Sequence, residues 1–396
     1  MEFSNMKKII NVLTATRAEY GLLKPIIEKL LAVENFDVKL IVTGTHLSKK
    51  HGYTYQEIVE DGFAIDATID ILEDYVTSSL DVSKIMGTTI IRFAEYFSRN
   101  KSDLLLVLGD RYETLAVCCA AMNEKIPIAH MYGGETTEGA IDEAIRHSIT
   151  KLSYLHFTST EEYRKRVIQL GESPNRVFCV GAIGIENIHN IKLMSKEELE
   201  TDLHFRLDVP YAMLTFHPVT LEEGTEKEQI IELLKAIDNN KHIKFIITKA
   251  NADAGGEYMN QMIDEYVMQN DHTIAFASLG TKRYLSGIKY CSFIMGNSSS
   301  GLIEAPSFGI PTINIGDRQR GRLKSDSVID CEANENSISV AIQKAMSREY
   351  QILAKTCVNP YGDGKTSEKV VSCIQTFLAS NEIDLKKKFY DIEVNV

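Results

Sequence analysis

Short runs of Ile, Val and Leu alternate with stretches of helical periodicity along the first half of the chain. Lys7–Thr14 (KKIINVLT), Phe36–Thr43 (FDVKLIVT), Leu104–Leu108 (LLLVL), Ile126–Met131 and Val177–Val180 predict buried strands, most of them closed by Gly, Thr or Asp. Between them, Leu22–Ala32, Glu113–Asn123, Ile141–Leu152 and Glu161–Leu170 place apolar residues at helical spacing. The second half repeats the alternation. Tyr211–Phe216, Ile243–Thr248, Thr273–Phe276, Ser292–Met295 and Thr312–Ile315 predict strands, and Glu226–Ile237, Tyr258–Gln269 and Ser300–Ser307 the helices between them. Strand–helix alternation implies an α/β fold with parallel sheets covered on both faces.

The pattern predicts two domains, residues 6–185 and 186–370, with a tail at 371–396. Ile191–Leu207 is polar and weakly patterned, and reads as a linker. Ser367–Ala379 predicts a helix that can cross back to the first domain. Met1–Asn5 reads as an extension ahead of Met6. The length of 396 residues fits two domains, each able to bury a core.

Composition narrows the function. Fifty-five acidic and 43 basic residues give a net charge of −12, which repels nucleic acid and anionic membrane surfaces. Seven scattered cysteines without a CxxC pair suggest neither a zinc module nor a disulfide framework, and fit reduced thiols in the cytoplasm. No apolar run reaches the length of a membrane span. The chain has no GxGxxG after the first strand, no GxxxxGK[ST], no HExxH, no GxSxG and no DxD pair. A metal-free enzyme or binding protein is left.

The polar residues of interest follow strands, where parallel sheets bind ligands. Gly296-Asn297-Ser298-Ser299-Ser300-Gly301 joins a strand to a helix and lets backbone N–H groups approach an anion, although one Ser would serve as a plain helix cap. Glu304, about one turn later, suits ribose hydroxyls or an exposed helix start. Arg17, Arg111 and Arg318 can fork onto phosphate oxygens or form surface salt bridges. Asp110, within GDRYE, is a proton-transfer group or a helix cap. Glu135, Asp142, Glu143, Arg146 and His147 gather several carboxylates suited to acid–base chemistry, or form a solvated acidic helix start. His217, before Pro218, suits a diphosphate, a proton shuttle or a turn.

At these residues the chain resembles the hydrolysing UDP-N-acetylglucosamine 2-epimerases of bacterial sialic-acid synthesis. The matching stretches are TATRAEYG (14–21), VLGDRYE (107–113), GGETTEGAIDEAIRHSITKLSYLHFTSTEEYRKRVIQLGE (133–172), FHPVT (216–220), ANADAGG (250–256), GNSSSGLIEAPSFG (296–309) and INIGDRQRGR (313–322). The resemblance implies two Rossmann-like domains facing across a cleft, the B-type glycosyltransferase architecture. It also implies a UDP-sugar substrate, no cofactor or metal, and a homodimer or homotetramer. UDP would be held by Arg17, Arg111, His217, Asn251, Ser298, Ser299, Glu304 and Arg318, and the acid–base carboxylates would include Asp110 and Asp142. Some family members carry a catalytic Glu where this chain has Tyr132, and a phenol with a pKa of ~10 is a poor substitute. Glu135 is the nearest carboxylate and is expected to take part of that role.

Three alternatives remain open on sequence. The first is the same reaction on a UDP-2,4-diacetamido-2,4,6-trideoxyglucose. The second is glycosyl transfer on the same fold, and the third is a non-catalytic nucleotide-sugar sensor.

Overall fold

The computed structural model describes residues 7–49, 52–72, 78–137, 141–218, 226–250, 256–380 and 384–393. The chain forms two compact units. One draws on residues up to Glu135, on Ile141–Asn187 and on the chain from Gly362; the other is Thr136–Ala140 with Ile188–Tyr361. The helix Thr366–Leu378 therefore lies wholly in the first unit, ahead of the boundary expected at residue 371.

The first unit is built on seven strands: β1 (Lys8–Thr14), β2 (Phe36–Thr43), β3 (Ala67–Ile69), β4 (Leu104–Leu108), β5 (Ile128–Met131), β6 (Leu155–Thr158) and β7 (Val177–Cys179). They pair in parallel in the order β3-β2-β1-β4-β5-β6-β7. Alternate residues serve opposite faces, as the two-residue strand period requires. Ile10, Val12, Leu104 and Leu106 enter one apolar cluster, whereas Leu13, Leu105 and Val107 enter another.

The second unit repeats the plan with β8 (Tyr211–Thr215), β9 (Lys244–Thr248), β10 (Thr273–Phe276), β11 (Phe293–Gly296), β12 (Thr312–Ile315) and β13 (Val328–Cys331). Their order is β10-β9-β8-β11-β12-β13. Both sheets thus carry the strand order 3-2-1-4-5-6 from their own first strand. That order reverses between β1 and β4 in one unit and between β8 and β11 in the other. A crevice opens at such a reversal beyond the carboxyl ends of the strands.

Several local choices hold the first unit. Thr16 caps the helix Arg17–Leu31 in a capping box with Glu19. Pro25 lies inside that helix and has no N–H to give the Gly21 carbonyl four residues back. The Asn187 side-chain amide donates to that carbonyl instead, at 3.0 Å. Buried Glu186 accepts from the Ser367 N–H at 2.7 Å, placing a carboxylate at the start of the helix Thr366–Leu378.

Two expectations are corrected. The stretch Ile191–Leu207 is not a bare linker, because Lys196–Leu203 is a helix capped by Ser195 and buries Leu199 and Leu203. Its eight residues are too few to show a clear period. The helix expected over Ser300–Ser307 stops after Ile303 and gives way to a 3-10 turn, Ala305–Phe308. Pro306, which lacks an N–H, sits where the tighter turn begins. Among the described residues no helix is long and apolar enough to cross a membrane. Among the same residues no group of three His, Cys, Asp or Glu side chains is placed to hold a metal ion.

Candidate active site

In the first unit the residues of interest collect beyond β1, β4 and β5. Arg17 opens the helix after β1 and pairs with Glu57 at 2.8 Å. Asp110 and Arg111 follow β4, the neighbour of β1. The buried His130 on β5 donates from Nε2 to the Gly109 carbonyl at 2.8 Å, fixing the backbone just before Asp110.

Arg146 is the hub of this region, and its side chain is 2% exposed. Its Nε donates to Asp110 at 2.9 Å, and Nη2 bonds to the same carboxylate. Its Nη1 donates to the Glu135 carbonyl at 2.9 Å and to the Glu143 carboxylate at 2.7 Å. One guanidinium thus orders Asp110, the loop bearing Glu135 and the helix Asp142–Leu152 together. Sequence reasoning gave Arg146 no role, although it stands four residues after Asp142 on the same helix.

Gly134 makes the loop possible. Its φ is +79°, and a Cβ there would stand 2.3 Å from the Tyr163 carbonyl. Glu135 is buried, and one of its oxygens accepts from the Ser159 hydroxyl at 2.8 Å. Asp142 is exposed at the first position of its helix. Tyr132 has a left-handed backbone (φ +69°), and its phenol oxygen accepts the Ile183 N–H at 3.0 Å. Its hydroxyl is thus tied to the start of the helix Ile183–Asn190.

The second unit has its own constellation beyond β8 and β11. The Asn297 side chain accepts from the His217 N–H and donates to the His217 carbonyl, both at 2.7 Å. The Asn297 carbonyl in turn accepts from Arg318 Nη1 at 3.0 Å and from Gln319 Nε2 at 2.8 Å. Ser299 precedes the short helix without a side-chain cap bond, so the plain capping reading does not describe it. The Ser298 hydroxyl lies 3.4 Å from the Ser300 N–H.

Three buried polar atoms in this constellation have no hydrogen-bond partner: His217 Nδ1, Glu304 Oε2 and Gln319 Oε1. Such atoms are costly unless a ligand or water meets them. Burial pushes the Glu304 carboxyl up to about 7, against the pull of the Ser300 hydroxyl. Burial, with the Arg318 charge, pulls His217 down to about 4. Asn297 and Gln319 went unassigned on sequence, because amides carry no charge signature and only the fold brings their partners near.

His130 is likewise pulled down to about 4, chiefly by burial. Its unfolded value is 6.5, so its contribution to stability is complete above about pH 6.5 and is lost as pH falls toward 4. The melting-temperature gap between the wild type and His130→Gln is therefore expected to narrow from pH 7.5 to pH 5. A gap that stays constant or widens would refute the neutral, buried His130.

A family model described as UDP-N-acetylglucosamine 2-epimerase matches residues 28–375. The chain belongs to that family. It is 41% identical to the polysialic acid biosynthesis protein P7 of Escherichia coli, over 98% of both chains. It is 40% identical to a GDP/UDP-N,N'-diacetylbacillosamine 2-epimerase (hydrolyzing) of Campylobacter jejuni, over 87% of this chain and 89% of that one. The crystal structure of Methanocaldococcus jannaschii UDP-GlcNAc 2-epimerase, in complex with UDP-GlcNAc and UDP, matches with a TM-score of 0.78. That match has 20% identity and covers 93% of this chain and 99% of that one. The α/β class with two Rossmann-like domains holds.

The residues implied by family resemblance divide between the units. Arg17, Asp110, Arg111, Glu135 and Asp142 lie in the first, and His217, Ser298, Ser299, Glu304 and Arg318 in the second. Asn251 lies outside the described residues. Arg146 gathers Asp110 and the backbone of Glu135, and Asn297 gathers His217 and Arg318.

Proposed function

We propose that the chain is a hydrolysing 2-epimerase that converts UDP-N-acetylglucosamine and water to N-acetylmannosamine and UDP, supplying sialic-acid synthesis in the cytoplasm. The observation that carries this reading is the set of unpartnered buried atoms around Asn297, combined with carboxylates ordered by one arginine in the first unit. The former suits the hydroxyl and N–H donors of a nucleoside and the latter suits proton transfer. The likeness to protein P7 supports sialic acid as the destination.

The C2 proton of the sugar is not next to a carbonyl, so direct removal is too costly. In the proposed reaction the C1–O bond breaks first, and its electron pair leaves on the diphosphate. The sugar becomes cation-like at C1, which acidifies C2–H. A carboxylate takes that proton, and the C–H pair becomes the C1=C2 bond of a glycal. Water then adds at C1 while a proton returns to C2 on the opposite face. Arg17, Arg111, Arg318 and the Ser298–Ser299 turn stabilise the departing diphosphate. His217 and Glu304 contact the nucleotide, and Asp110, Glu135 and Asp142 move the protons.

The likeness to the Campylobacter enzyme supports a second reading, the same chemistry on a UDP-diacetamido sugar. Incubation with each nucleotide sugar, following UDP and free sugar, tests both. UDP and N-acetylmannosamine from UDP-N-acetylglucosamine support the first reading. Turnover of the diacetamido sugar alone supports the second. A requirement for an acceptor, or binding without turnover, contradicts both. Glu135→Gln is expected to lower kcat by roughly 10²–10⁴-fold while UDP still binds; unchanged kcat would remove Glu135 from proton transfer.

A further inference from the structure

A second group of carboxyls lies at the β1/β4 reversal and has no part in the scheme above. Glu113 stands in the first turn of the helix Tyr112–Asn123, and its side chain is 2% exposed. One of its oxygens takes the Nε of Arg111, and the other is buried without a partner. Glu19 lies beside it. Glu19 Oε2 accepts the N–H groups of Ala15 and Thr16 at 2.8 and 3.2 Å, and its Oε1 is buried without a partner. Arg111 itself is 42% exposed, so Glu113 grips the guanidinium from the protein side while its outer part faces solvent. Capping alone accounts for one oxygen of Glu19. It does not account for a second buried carboxyl with an oxygen left over.

We propose that Glu113 is a positioning residue that aims Arg111 at the diphosphate of the nucleotide sugar, and that Glu19 beside it sets the charge of this cluster. The proposal rests on the UDP-sugar reading above. A guanidinium held at Nε keeps its two terminal nitrogens for a fork onto phosphate oxygens. Without Glu113 the side chain is free to rotate, and ordering it must be repeated at each binding event.

The charges of the cluster change with pH in one direction. Burial, aided by the Glu113 charge, pushes Glu19 up to about 7, while the Ala15 and Thr16 N–H groups and Arg111 resist. Burial opposes the charge on Arg111, and Glu113 and Glu19 hold it charged. Other ionisable groups here are Tyr112, whose ring centre lies 5.8 Å from the Arg111 guanidinium and whose phenol burial pushes up, Arg17, which is paired with Glu57, and His46, which bonds to Thr14 and is pulled down to about 4 by burial. As pH rises through about 7, Glu19 loses its proton and adds negative charge beside Arg111. The pull of the site on a diphosphate weakens. The two phosphate charges of a nucleotide sugar stay constant over this range, so they do not obscure the trend.

The test measures KM and kcat for the UDP-sugar that the wild type turns over, at pH 6 and pH 8.5. Wild type, Glu113→Gln, Glu113→Asp and Glu19→Gln are compared, and melting curves establish that each is folded. Glu113→Gln is expected to raise KM about tenfold with kcat changed much less, as loss of one charge-assisted contact implies. Glu113→Asp, which keeps the charge on a shorter arm, is expected to recover part of that loss. Wild-type KM is expected to rise between pH 6 and pH 8.5, and Glu19→Gln to reduce that rise to the share that comes from Glu304. An active wild type with an unchanged KM in Glu113→Gln overturns this inference and leaves the proposed function standing. So does a pH trend of undiminished size in Glu19→Gln. A wild type that turns over neither sugar overturns both.

Discussion

Replacing Arg146 with Met is expected to abolish turnover and destabilise the first unit by about 3–5 kcal/mol, the usual cost of removing one partner from a buried ion pair. Three groups lose their donor at once. Asp110 loses two contacts, Glu143 loses one, and the Glu135 carbonyl is left buried without that bond. The apolar Met side chain occupies part of the space and supplies none of these. Arg146→Lys keeps the charge but not the planar fork, so it is expected to fold better than Arg146→Met while remaining well below wild-type activity. Thermal melting and initial rates check both. A Met variant with wild-type melting temperature and rate would show that the hub organises nothing.

Gly296→Ala is expected to have the second-largest effect. Gly296 ends β11 with φ +127°, and a Cβ there would lie 1.8 Å from the Thr215 carbonyl oxygen of β8. That atom is backbone, so no side chain can swing aside. The ends of β8 and β11 must separate, and they carry His217 and Asn297. A cost of about 3 kcal/mol or more is expected from the forbidden backbone and the clash. For a unit of this size that lowers the melting temperature by roughly 6–12 °C. UDP binding is expected to weaken at least about tenfold, equivalent to about 1.4 kcal/mol. Calorimetric titration with UDP and a melting curve check the variant. Unchanged values in both would mean that the close approach at Gly296 places nothing important.

The central strands of both sheets were readable because a parallel sheet buries both faces and writes its strands as continuous apolar runs. Lys8–Thr14, Leu104–Leu108 and Lys244–Thr248 are such runs. Leu155–Thr158 was not readable, since His156 interrupts it; only the fold shows that His156 Nε2 meets buried Glu172 at 3.0 Å. The long helix Ser79–Arg99 escaped because its buried stripe is narrow: Ile85, Thr89, Phe93 and Phe97, one of them polar.

The candidate site follows the same logic. Asp110, Arg111, His217 and Ser298 could be found because they stand just after strands, a position visible in the pattern. Arg146 and Asn297 stand in the same motifs, but their roles could not be read there, because they depend on partners 36 and 80 residues away. The Tyr132 substitution was visible, but the use of its phenol at the start of the helix Ile183–Asn190 was not.

The elimination–hydration route is tested most directly by running the reaction in deuterated water and analysing the released sugar by NMR and mass spectrometry. The account predicts that product formed with UDP carries one deuterium at C2, since that carbon gives up its proton and regains one from solvent. N-acetylmannosamine that retains the original hydrogen at C2 would contradict it.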